Sequence, residues 1–135
     1  MKNKWVMIHK GLAMYIGLGV FVQLFLAGIW HAGVVMTPDA HALFGASLLL
    51  AALIALIAAA VGKLPKAVIG RTGLLFALIL LQPFLIEARV GSLPLISAFH
   101  TLNAGVIGMV SGTVVATGQQ QAAVENTAVS SVAGD

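Results

Sequence analysis

Residues 11–33, GLAMYIGLGVFVQLFLAGIWHAG, contain no charged side chain, and their reading decides the fold. A helix needs about 20 mostly apolar residues to cross the hydrocarbon core of a bilayer. This run is long enough, and too long for the core of a typical signal peptide. A basic start (Lys2, Lys4, Lys10) precedes it, but no clear A-x-A cleavage site follows it. It is therefore read as a first transmembrane helix, over about Gly11 to Trp30 or His31.

Three more segments follow the same logic: about Pro38–Val61, about Ala67–Glu87 and about Pro94–Thr117. Thr37-Pro38-Asp39 suits a helix start, with Thr as cap, Pro at the first helical position and Asp at the positive end of the dipole. Ser92 and Pro94 suit the start of the fourth span, and Lys63-Leu64-Pro65-Lys66 the turn between the second and third. The expected fold is all-α: a four-helix up-down-up-down transmembrane bundle over residues 1–117, followed by a poorly ordered cytoplasmic tail over 118–135.

Composition supports this reading. Apolar residues make up 60% of the 135-residue chain and charged residues only 8%, and mean hydropathy is +1.05. Soluble domains carry about 25% charged residues. The absence of cysteine excludes disulfides, thiolate metal sites and cysteine nucleophiles. Of the basic residues, Lys2, Lys4, Lys10, Lys63, Lys66 and Arg71 fall on one side of the expected membrane and only Arg89 on the other. The positive-inside rule then puts both termini in the cytoplasm, and it accounts for the net charge of +3 without nucleic acid. Trp5 and Trp30 suit the two interfacial aromatic belts.

A shift of 59 residues brings the two halves into register. Gln23-Leu-Phe-Leu falls on Gln82-Pro-Phe-Leu, and His41-Ala-Leu on His100-Thr-Leu. Outside the tail these are the only glutamines, and each match brings a histidine with it. The halves, about 11–62 and 67–117, read as tandem helical hairpins related by a pseudo-two-fold axis along the membrane normal. In a square bundle with axes 8–10 Å apart, the second and fourth helices face each other across a diagonal of roughly 11–14 Å. His41 and His100 would meet across it near the outer surface, close enough to ligate one haem iron.

Gly45, Ala104 and Gly108 lie at helical spacing from these histidines and would leave room for a porphyrin. They would equally let membrane helices pack closely with no ligand. Gln23 and Gln82 lie deeper, and their amides would bond each other, backbone, a cofactor or a quinone carbonyl. Asn103 would orient the His100 ring or touch a cofactor edge. Arg89 would pair with a haem propionate, lipid phosphate or Glu87. His31 would either join the two histidines in a metal site or sit solvated at the interface, and His9 reads as a headgroup-zone residue. No phosphate loop, H-E-x-x-H motif, buried lysine or midplane carboxylate is present. Nothing marks a substrate-transforming site, so an enzyme is not expected.

The pattern Gln23-x-Phe-Leu-Ala-Gly28, His41-x-x-x-Gly45, Gln82 and Phe99-His-x-Leu-Asn-Ala104 resembles a domain-of-unknown-function family of small four-span bacterial membrane proteins. That resemblance implies only the four-span architecture and draws attention to His41 and His100; the expected location is the bacterial cytoplasmic membrane. A looser architectural resemblance links paired histidines in duplicated hairpins to b-type cytochromes and the halves of haem A synthase. The leading expectation is one haem b between the second and fourth helices, for electron transfer or haem handling with a redox partner. The rivals are an accessory subunit of a larger membrane complex, holding lipid, pigment or quinone, and, last, a small transporter or channel.

Overall fold

The computed structural model describes the backbone of residues 2–90 and 94–132, and the side chains of 4–86, 95–96 and 98–117. The described backbone forms helices α1 (Lys2–His31), α2 (Asp39–Val61), α3 (Lys66–Val90) and α4 (Pro94–Val132). All four contain a stretch long and apolar enough to cross a membrane: Lys4–His31, Asp39–Val61, Lys66–Ile86 and Ala98–Thr117. α1 packs on α2 and α4, and α3 packs on the same two helices, so α1/α3 and α2/α4 are the diagonals of a square bundle.

Helix α2 explains why the bundle closes tightly. Its buried positions are Leu48, Ala51, Ala52, Ala55, Ala58 and Ala59, a seam of small residues. Its large side chains, among them Leu50, Leu53, Ile54 and Ile57, point outward. Small residues at the seam let backbones approach closely, and bulky apolar ones outside suit contact with lipid chains. The central core joins Ala13 and Ile16 of α1, Ala51 and Ala52 of α2, Leu75 and Ile79 of α3, and Ile107 and Val114 of α4. A smaller cluster of Ala59, Leu64 and Val68 closes the end at the α2–α3 turn.

Two helix ends carry the same capping geometry. After α1, Val34 N–H reaches the Ile29 carbonyl and Gly33 N–H the Trp30 carbonyl, with Gly33 at φ +73°. After α2, Leu64 N–H reaches Ala59 and Lys63 N–H reaches Ala60, with Lys63 at φ +52°. Both are Schellman endings, which favour glycine at the left-handed position. Glycine stands one residue early in the second, at Gly62. A Cβ there would lie 2.7 Å from the Trp5 Cβ and 2.8 Å from the Ala58 carbonyl. Close packing holds the glycine at 62 and leaves Lys63 in the strained conformation.

Two boundaries differ from the sequence reading. Pro38 occupies the N-cap position of α2 and no side chain caps that end; the Thr37 hydroxyl donates instead to the Asp39 carboxylate at 2.8 Å. The α4 backbone continues as helix to Val132, where the sequence suggests a poorly ordered tail. From Gln119 to Val132 the chain has neither glycine nor proline, so nothing breaks a helix already nucleated upstream.

Candidate functional site

The two hairpins repeat one contact. His41 lies in the first turn of α2, and its Nδ1–H donates to the Gln23 carbonyl of α1 at 3.2 Å. His100, on α4, donates from Nδ1 to the Gln82 carbonyl of α3 at 3.3 Å. Both contacts span 18 residues, so the correspondence between the halves extends from sequence to hydrogen bonding. A carbonyl only accepts, so each ring donates from Nδ1 and, when neutral, keeps a lone pair on Nε2. The rings meet across the α2/α4 diagonal with centroids 6.1 Å apart and planes inclined at 58°. Two imidazoles that both present lone pairs cannot bond each other. A cation or a donor between them satisfies both.

The glutamines act differently from the sequence reading. Their side chains do not bond each other or backbone; Gln23 Oε1 and Gln82 Oε1 are both buried without a partner. Their main-chain carbonyls anchor the histidines. The room expected beside Gly45 is filled by the Gln23 amide, whose Nε2 lies 2.7 Å from where a Cβ at Gly45 would stand. Gly108 faces Val20 of α1 at 3.6 Å, and Ala104 is half-buried.

Asn103 is buried, and its Nδ2 donates to the Leu78 carbonyl of α3 at 2.8 Å. Pro83 stands inside α3 and supplies no N–H to the ladder one turn away. The carbonyl that Pro83 frees is that of Ile79, one residue on from Leu78, so the Asn103 bond is an added link between the helices. It clamps α4 to the proline-interrupted part of α3 instead of orienting His100.

His31 does not join the pair. It is exposed, stacked on Trp30 with centroids 4.8 Å apart, and no group of three or more metal-ligating side chains exists among the described residues. The Arg89 side chain lies outside the described residues.

A third histidine lies deeper than the sequence implied. His9 is only 2% exposed and its Nε2 lies 2.9 Å from the Thr72 hydroxyl. Thr72 donates to the Val68 carbonyl at 2.8 Å, so its oxygen accepts from His9 Nε2–H. His9 shares a face with Ala13 and Ile16, both buried, and that spacing was the available signal. A second polar clip joins α1 to α2: Tyr15 OH donates at 2.8 Å to Ser47 Oγ, whose own proton goes to the Phe44 carbonyl.

Between α3 and α4 an apolar cavity of about 300 Å³ opens on the bundle surface, lined by Leu78, Leu81, Leu85, Phe99, Leu102, Asn103 and Val106. Neither His41 nor His100 lines it. No family model, curated protein or solved structure matches the chain.

Proposed function

We propose that the chain is a small b-type cytochrome-like protein of the bacterial cytoplasmic membrane, with both termini inside. In this reading His41 and His100 are the axial ligands of one haem. The supporting observation is the mirrored pair of Nδ1–H-to-carbonyl bonds. Metal-ligating histidines almost always donate their other ring N–H in this way, which fixes the tautomer and the ring orientation.

With a metal–nitrogen distance of about 2.0–2.1 Å, coaxial imidazoles on one ion have centroids roughly 6.3 Å apart, and tetrahedral ones roughly 5.2 Å. The 6.1 Å between the centroids leaves room for one ion between the rings. The donor set therefore fits a haem iron. A macrocycle held there would have to displace the Gln23 amide beside Gly45.

Haem supplies a one-electron couple when bound. The chain's part is to hold two neutral imidazoles by backbone anchors and to keep them in an apolar bundle. The role is electron transfer or haem handling, with a redox or haem-exchange partner on the outer side.

The test is the visible spectrum of the protein purified in mild detergent with hemin supplied, oxidised and then reduced with dithionite. A sharp Soret band and reduced α-band, lost in both His41→Ala and His100→Ala, are expected. A colourless wild-type protein removes the haem reading. The α3–α4 groove would then favour the second reading, an accessory subunit that seats a lipid or quinone chain between those helices.

A further inference from the structure

At the histidine pair each ring leaves an acceptor nitrogen, and the two buried side-chain atoms without a partner, Gln23 Oε1 and Gln82 Oε1, are acceptors as well. Each imidazole has committed its proton to a carbonyl, leaving a lone pair on Nε2. Gln23 Oε1 and Gln82 Oε1 are buried and unpartnered. Each amide is carried on the very residue whose carbonyl anchors a ring. The duplication places these oxygens at equivalent positions in both hairpins.

An isolated buried carbonyl is costly, and native proteins rarely leave one without a reason. Two equivalent orphans beside two equivalent lone pairs have a common explanation. We infer that Gln23 and Gln82 are positioning residues of a cation site: their unpaired amide oxygens destabilise the empty protein and are offset when positive charge is held between His41 and His100. The inference rests on the bis-imidazole reading of the pair but not on haem. Imidazole nitrogens and amide oxygens are also the N,O donor types that would suit Cu²⁺.

The proposal predicts opposite signs for two properties of one variant. In Gln23→Leu/Gln82→Leu the orphaned oxygens are gone from an apolar setting. The empty protein should melt higher, by about 5 °C for a chain of this size. Its affinity for the cation should fall by about tenfold or more, the usual scale for losing acceptors to a charge. A purely structural role predicts the reverse on stability, because losing useful packing or hydrogen bonds lowers the melting point.

The experiment is thermal unfolding of the detergent-solubilised full chain, wild type and double variant, with no metal added. Hemin and Cu²⁺ titrations follow, each read by absorbance, with His41→Ala/His100→Ala as the control that abolishes the site. Higher melting with weaker binding supports the inference. A melting point that is unchanged or lowered overturns it, because the amides are then paired by water or serve packing. Unchanged affinity overturns it as well. Wild-type protein that takes Cu²⁺ but no hemin removes the haem reading and leaves this inference standing; protein that takes neither removes both.

Discussion

Replacing Thr72 with valine tests how the bundle satisfies its buried polar groups. Thr72 is fully buried and His9 is 2% exposed. The two hydroxyl contacts are not equivalent. The bond from Thr72 to the Val68 carbonyl is within one helix, and that carbonyl keeps its own ladder partner, so losing the hydroxyl there costs little. The bond from His9 Nε2–H to Thr72 is the one that matters, since it crosses the α1/α3 diagonal.

Thr72→Val keeps the shape and leaves a ring N–H facing a methyl group where water does not reach. An unmade bond of this kind costs about 1–3 kcal/mol, whereas side-chain bonds within membrane bundles average only about 0.6 kcal/mol when both ends find other partners. His9 is too enclosed to find another, so a loss of about 1.5–2 kcal/mol is expected. His9→Leu leaves no orphan, because Thr72 still donates to Val68, and should cost less than about 1 kcal/mol. The double variant should then be no less stable than Thr72→Val alone. The assay is reversible unfolding in mixed micelles, read by circular dichroism, for the four proteins of the cycle. A cost for Thr72→Val below that of His9→Leu would refute the reasoning, since it would mean that His9 reaches water or another acceptor.

Two further outcomes follow from the backbone. Lys63→Gly should stabilise the protein by about 1 kcal/mol, because it relieves a left-handed residue at the α2–α3 turn; a lower melting point would show that the lysine side chain outweighs the strain. Among the glycines, Gly108→Ala meets only Val20 at 3.6 Å and should gain about 0.5–1 kcal/mol of helix propensity. Gly19→Ala would put its Cβ 2.5 Å from Leu48 Cδ2 in a buried contact and should lose about 1–3 kcal/mol by overpacking; equal melting points for the two variants would contradict the helix packing described.

The helical architecture was legible because hydropathy needs only composition and length. The correspondence between the halves was legible because rare polar residues recurred at one offset. Which atoms of those residues meet was not. Sequence shows that Gln23 and His41 are paired in position, and it draws attention to the amide, but the acceptor is the main-chain carbonyl, which every residue carries. Gly45 reads as open space in its own helix, and the group that fills it comes from α1. Asn103 beside His100 suggests a ring contact, yet its partner is the Leu78 carbonyl of α3. His9 lies between Lys4 and Lys10, so local composition argues for an interface; only its helical phase with Ala13 and Ile16 argues for burial. The misplaced readings share one cause: the deciding neighbour belongs to another helix.

The distribution of buried polarity bears on the least favoured reading, a transporter or channel. Fourteen residues of α1 separate His9 from Gln23, a rise of about 21 Å. Between them lies the apolar core of Ala13, Ile16, Leu75, Ile79 and Ile107. Ser111 is buried near this level, but its hydroxyl is spent on the Gly108 carbonyl of its own helix. The described side chains between the two ends thus form a mostly apolar plug, and a conduit for ions would have to hydrate it. A centre at one end of the bundle has no such need, because it exchanges electrons or cargo with the face it adjoins. The plug therefore argues for a site near one surface rather than a path.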